Sequence, residues 1–174
     1  MSSAPDTLTL KRNRDLDGLE NRPWTRRVLV AVLCVPLVAA LLNVFGQRPQ
    51  TMKASTAEAS LSIAAPMRVR GGLYYQSRFH IVAHQDLADA RLVLDSNWGE
   101  GLTINTIEPS PVGSVSRDGD LAYDLGHIPR GDSYILFVQQ QVNPTTVARR
   151  TQRAELWDGE RHLLTIDRRF TVFP

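Results

Sequence analysis

Val28 to Phe45 reads VLVAVLCVPLVAALLNVF, eighteen residues without a charged side chain. As a helix rising about 1.5 Å per residue it would be roughly 27 Å long, close to the ~30 Å hydrocarbon thickness of a bilayer. Soluble helices rarely carry so long an uncharged run, so the stretch predicts a membrane-spanning helix over 24–46. Trp24 and Phe45 fall at its two ends, where aromatic rings favour the interface, and Arg26 and Arg27 can extend toward headgroups. Pro36 lacks an amide donor, a defect that a membrane helix tolerates. Cys34 is the chain's single cysteine. It excludes an internal disulfide framework and any multi-cysteine metal site. Leu33 precedes it in mid-run, where a lipoprotein signal wants a small residue, so a plain thiol buried in the apolar segment is expected.

Charge sets the orientation. Lys11, Arg12, Arg14, Arg22, Arg26 and Arg27 precede the run, whereas only Arg48 and Lys53 follow it closely. The excess of positive charge predicts a cytoplasmic N-terminus and an exported remainder. A signal peptide cleaved near Val38-Ala39-Ala40 is the alternative; the long polar leader and the apolar residues beyond that point speak against it. Residues 1–23 read as a disordered cytoplasmic tail and 47–57 as a linker. Residues 55–174 are net acidic although the whole chain carries +2. A nucleic-acid module would concentrate basic charge on its folded part, so no nucleic-acid partner is expected. With 22% charged and 43% hydrophobic residues, the composition excludes a wholly disordered chain and a polytopic transporter.

From about Glu58 onward, short apolar runs alternate with Gly, Pro, Asp and Asn, and no helical stripe is sustained. Strands are predicted at Ala59–Ile63, Leu73–Ala83, Arg91–Leu94, Leu102–Ile107, Leu121–Leu125, Tyr134–Val142, Ala154–Trp157 and Leu163–Phe173. On the second, Leu73, Tyr75, Phe79, Ile81 and Ala83 share one face, opposite Gln76, Arg78 and His80. Tyr134–Val142 opens with five apolar residues, as a strand buried on both faces would. Asp158-Gly159 is a hairpin signal, but apolar residues of both parities after it leave the register open. Seven or eight such strands fit a two-sheet sandwich over 58–174, with a small barrel as the alternative.

Leu121 to Ser133, LAYDLGHIPRGDS, followed by the strand Tyr134–Val142, resembles bacterial immunoglobulin-like domains of cell-surface and adhesion-related proteins. In that pattern an aromatic and Leu-Gly close one strand, a Pro-x-Gly turn follows, and a long apolar strand begins after Ser. Gly126 and Gly131 are suited to positive φ, and Pro129 to a tight turn. Tyr123 stands in place of the usual tryptophan, and the tandem repetition common in the family is missing. The resemblance implies an all-β immunoglobulin-like antiparallel β-sandwich, here preceded by one N-terminal transmembrane helix. It implies binding or spacing and brings no catalytic residue.

Motifs for chemistry are sparse, and no cofactor is expected. His80 and His84 would share a helix face, but four residues of strand span about 13 Å, too far to hold one ion. They remain weak metal candidates. No G-x-S-x-G elbow supports a hydrolytic serine. Asp118-Gly119-Asp120 lacks the rest of a calcium loop, and Gly71-Gly72 precedes no helix that could cradle phosphate. Arg149, Arg150 and Arg153 form a basic cluster that fits either a contact with an anionic surface or a charged edge strand that resists aggregation. Trp98 and Trp157 stand beside turns, as core-edge plugs or partner contacts.

These readings converge on a non-enzymatic, single-pass membrane protein. Its helix would sit in the lipid bilayer and its exported sandwich would dock onto a membrane or envelope protein, as an accessory subunit or assembly factor. The alternative is an exported copper or zinc chaperone, or a metal-dependent enzyme, using His80, His84, His127 and Met67. A polysaccharide-binding module ranks last, because only 7% of residues are aromatic.

Overall fold

The apolar run forms helix α1 (Arg22–Leu41) in the computed structural model, which describes residues 22–42, 47–117 and 119–174. Phe45, residues 1–21 of the expected tail, and Asp118 lie outside the described residues. Along the chain there are two compact units, 1–44 and 45–174. The window Trp24–Leu41 is long and apolar enough to cross a membrane, and none of it is buried. Trp24, Arg26, Arg27 and Cys34 all lie on the exposed helix surface, and Pro36 stands inside the helix.

The second unit contains eleven strands among the described residues: β1 (Pro49–Ser55), β2 (Ala59–Pro66), β3 (Arg68–Arg70), β4 (Tyr74–Ala83), β5 (Leu87–Leu94), β6 (Leu102–Glu108), β7 (Gly113–Arg117), β8 (Asp120–Ile128), β9 (Ser133–Val142), β10 (Ala148–Asp158) and β11 (Arg161–Phe173). They form two sheets, β1-β2-β4-β9-β6 and β3-β11-β10-β5-β8-β7. Every pairing is antiparallel except β3 with β11. In sheet order β2, β4, β9 and β6 occupy the places of strands A, B, E and D of an immunoglobulin sandwich, and β5, β10 and β11 those of C, F and G. The fold is therefore immunoglobulin-like. It adds strand β1 beside β2 and a β7–β8 hairpin beside β5.

Inward side chains follow the two-residue strand period. Tyr75, Ser77, Phe79, Ile81 and Ala83 of β4 are all buried, as are Leu136, Val138, Gln140 and Val142 of β9. Most of the apolar core is one cluster, which includes Leu61, Phe79, Leu92, Trp98, Leu136 and Leu156. A second cluster holds Val69, Tyr75, Leu102, Val142, Phe170 and Val172.

Several expectations need correction. Residues 49–55, expected within a linker, are strand β1, paired along its length with β2 from Pro49↔Pro66 to Ser55↔Ser60. Met52 and Ala54 alternate inward against the main core, an apolar pattern too sparse to stand out from the polar residues around it. Leu73 is exposed and precedes β4. Strand β9 is not buried on both faces: Ile135 is 39% exposed, since the outer side of its sheet carries no covering layer among the described residues. Near the β10–β11 hairpin the register shifts, with Leu156 opposite Leu164 but Trp157 opposite His162. Leu163 is the extra residue, so Leu163 and Leu164 are both buried and the mixed apolar parity has its cause in a β-bulge.

Candidate interaction surface

The turn motifs resolve first. Gly71 N–H donates to Phe173 O and Gly72 N–H to Val142 O, so these amides serve the fold. Asp120 Oδ1 accepts from Ser96 N–H at 2.9 Å beside the β7–β8 turn. Gly126 and Gly131 have φ of 75° and 89°, the left-handed region that the sequence suggested for them.

His80 is a half-buried residue of β4, while His84 is exposed beyond the end of that strand. His127 pairs with Asp86 at 2.9 Å and His162 Nε2 lies 2.8 Å from Thr165 Oγ1. Among the described residues no group of three or more His, Cys, Asp or Glu side chains is placed to hold a metal ion.

The basic cluster and the tryptophans are largely committed to the fold. Strand β10 pairs with β5 only over Ala154–Asp158, which leaves the second edge of 148–153 for the segment 95–100. Asp95 N–H donates to Arg153 O, Arg153 N–H donates to Asp95 Oδ1, and Arg150 Nη1 donates to Glu100 O at 2.7 Å. The segment 95–100 thus closes this edge at the backbone of Arg153, and the Arg150 side chain reaches across it, while Arg149 and Thr151 stay exposed. The Arg153 side chain bonds Asp167 at 3.0 Å, a hydrogen bond that holds its guanidinium above the ordinary arginine range. Trp98, in the 3₁₀ turn Ser96–Trp98, is fully buried and donates its indole N–H to Arg153 O. It is a core residue and is closed to partners. Trp157 is half-buried against His162 and donates to Glu155 Oε2 at 3.0 Å.

The two outer faces differ in charge. On the six-stranded sheet, ion pairs Arg91–Asp124 and Arg153–Asp167 lie among further charges at Arg149, Glu155 and Arg169. The hydrogen bond that Arg91 donates to Asp124 raises its guanidinium above the usual range. On the five-stranded sheet, the outward rows run Ser55–Ser60–Val82–Ser133, Lys53–Ser62–His80–Ile135, Thr51–Ala64–Arg78–Phe137–Glu108, Gln76–Gln139–Thr106 and Tyr74–Gln141–Thr103. Only Lys53, Arg78 and Glu108 carry charge there. Tyr74 is 63% exposed, and Phe137 is half-buried between Arg78 and Glu108. Tyr74, Phe137 and Arg78 with few carboxylates agree with the enrichment seen at protein interfaces, whereas Ser55, Ser60, Ser62 and Ser133 at the other end of the face do not. Sequence reasoning placed Gln76, Arg78 and His80 on one face of β4, but joining them to β9 required the pairing.

No family model matches the chain, and no curated protein does. Similar solved structures include the CARDB domain of the PF1109 protein from Pyrococcus furiosus, in complex with di-metal ions. It is 12% identical, with a TM-score of 0.36 over 72% of this chain and 94% of that one. A non-cellulosomal cohesin from Archaeoglobus fulgidus is 14% identical, with a TM-score of 0.40 over 73% of this chain and 92% of that one. A FixG-related protein from Vibrio parahaemolyticus is 11% identical, with a TM-score of 0.34 over 59% of this chain and 82% of that one. At these identities the likeness concerns architecture alone.

Proposed function

We propose that this chain is a non-enzymatic, single-pass membrane protein whose immunoglobulin-like domain docks onto a protein of the cell envelope. Helix α1 is the anchor, the N-terminus is cytoplasmic, and the domain faces the extracytoplasmic side. The docking surface is the outer face of the five-stranded sheet, centred on Tyr74, Ile135, Phe137 and Gln139. One observation carries this reading: that face is almost free of charge, while the opposite face is laced with ion pairs. Desolvating amides and apolar groups costs less than desolvating a dense array of charges, paired or not, so the five-stranded face, with its three charged side chains, is the cheaper one to cover. Seven residues, 42–48, join α1 to β1. Fully extended they span at most about 25 Å, and such confinement raises the domain's effective concentration toward membrane partners.

The test is copurification of the full chain from native membranes in mild detergent at low salt. A stoichiometric partner is expected. Ile135→Asp and Gln139→Arg should each lower its recovery by about tenfold or more, because an unpaired charge is forced into a desolvated contact. Arg149→Asp, on the other face, should retain it. Recovery of the protein alone, recovery of a second copy of this chain only, or equal loss in all three variants would reject the reading.

A further inference from the structure

A layer of polar side chains crosses the core where the strand alternation calls for apolar residues. Ser77 lies between Tyr75 and Phe79 on β4, Gln140 between Val138 and Val142 on β9, and Arg168 between Ile166 and Phe170 on β11; Gln152 precedes Ala154 on β10. Arg168 is only 3% exposed. The layer satisfies much of itself. Ser77 Oγ donates to Gln140 Oε1 at 3.2 Å, Gln140 Nε2 to Trp98 O at 2.9 Å, and Gln152 Nε2 to Asn97 O at 3.1 Å. Arg168 Nη2 donates to Pro66 O. The Arg168 Cζ lies 5.1 Å from the Trp98 ring centroid and 5.7 Å from that of Phe170, so cation–π attraction offsets part of its burial.

Three buried atoms have no protein partner: the Tyr75 hydroxyl, Gln152 Oε1 and Arg168 Nη1. They belong to one neighbourhood. Gln152 and Arg168 are direct cross-strand partners, and the Tyr75 ring packs 5.7 Å from Phe170. Arg168 and the Gln152 amide both act on the Tyr75 hydroxyl in favour of phenolate, yet burial outweighs them and keeps the phenol protonated. Burial likewise lowers Arg168, but only to about 10, so it remains cationic at neutral pH. An orphaned buried polar atom costs about 1–3 kcal/mol, and three in one place call for a common partner.

The donor–acceptor inventory selects that partner. A cation would meet Arg168. An anion would gain two donors but would face the carbonyl oxygen of Gln152, whose amide nitrogen is fixed on Asn97 O. A water molecule can donate to Gln152 Oε1, accept from Arg168 Nη1, and make its third bond with the Tyr75 hydroxyl. Buried waters in proteins make about three such bonds. We propose that Tyr75, Gln152 and Arg168 form an internal hydration site holding one ordered water that joins the two sheets between the two apolar clusters.

The test uses the full chain in detergent micelles and water-selective NOE and ROE spectra. Long-lived water cross-peaks are expected at the Tyr75 ring Hε protons and the Arg168 guanidinium protons. Gln152→Leu removes the carbonyl acceptor and should abolish or weaken both. The unfolding midpoint should be unchanged when chloride is replaced by gluconate at constant ionic strength. Absence of both cross-peaks in the unaltered protein would overturn the proposal in favour of a dry layer. A midpoint that rises with chloride, and loses that rise in Arg168→Met, would overturn it in favour of an anion site.

Discussion

Trp98 is gripped by its ring and by its nitrogen. Its ring centroid is 5.3 Å from that of Phe79, and its N–H meets Arg153 O at 2.9 Å. Trp98→Ala is expected to cost about 3–5 kcal/mol, read as a shift in the urea midpoint. Arg168 behaves differently. Arg168→Met removes the desolvation cost of a buried cation but leaves Pro66 O without its donor, so it should lower the midpoint less than Arg168→Ala, which also opens a cavity. The alkaline limb of stability tests both buried groups. Burial raises Tyr75 above the ordinary tyrosine value of 10.0; above about pH 10 the unfolded chain loses this proton first, and stability falls. Tyr123 and Tyr134, also raised by burial, add to that fall. Arg168, lowered to about 10, has the opposite sign: above that pH the unfolded chain binds more protons, and stability rises. Tyr75→Phe should therefore flatten the fall between pH 9 and 11, and Arg168→Met should steepen it. Parallel pH profiles for the two variants would contradict this account.

Strands and turns carry their own tests. Gly71 lies just before β4, and a Cβ there would stand 2.8 Å from the backbone oxygen of Pro144. Gly71→Ala should cost about 1–3 kcal/mol by overpacking, because a backbone oxygen cannot rotate aside. Gly159, in the β10–β11 turn at φ 58°, has open space around the same position. Gly159→Ala should cost only the left-handed backbone penalty, about 1–2 kcal/mol, and the two variants can be ranked by chemical denaturation. Elements with dense alternation were legible in the sequence: β4, β8 and the hairpin at Asp158-Gly159 appear where the residues placed them. Strands β1, β3 and β7 were not. PQTMKAS, RVR and GSVSR have too few apolar residues for a periodic signal, and they are strands because neighbours supply their ladders. The basic end of β10 likewise takes its partners from residues 95–100, at the Arg153 backbone and the Arg150 side chain.

The whole chain joins a segment that satisfies its backbone internally to a domain that does so across two sheets. A charge in the middle of the first should weaken the membrane association proposed for it. Leu33→Arg costs about 2.5–3.5 kcal/mol on insertion scales and is expected to move part of the protein into the soluble fraction of a membrane preparation. The proposed orientation predicts that protease added to intact spheroplasts digests the chain beyond Thr56. Protection of that part until lysis would place the domain on the other side.

The apolar segment, the number of major strands and their all-β class followed from the chain's local patterning, and the immunoglobulin-like class from the resemblance carried by residues 121–133. Desolvation and the two-residue period act over a few neighbouring residues, and such local rules are written in the sequence. The interior place of Trp98, the bonds of Arg150 and Arg153 to residues 95–100, the charge-poor face of the five-stranded sheet and the polar layer at Arg168 were decided by tertiary structure. Each depends on partners far apart in the chain, such as Ser77 with Gln140 or Arg168 with Pro66, and only pairing and packing determine whether a polar side chain meets water, a partner or the core.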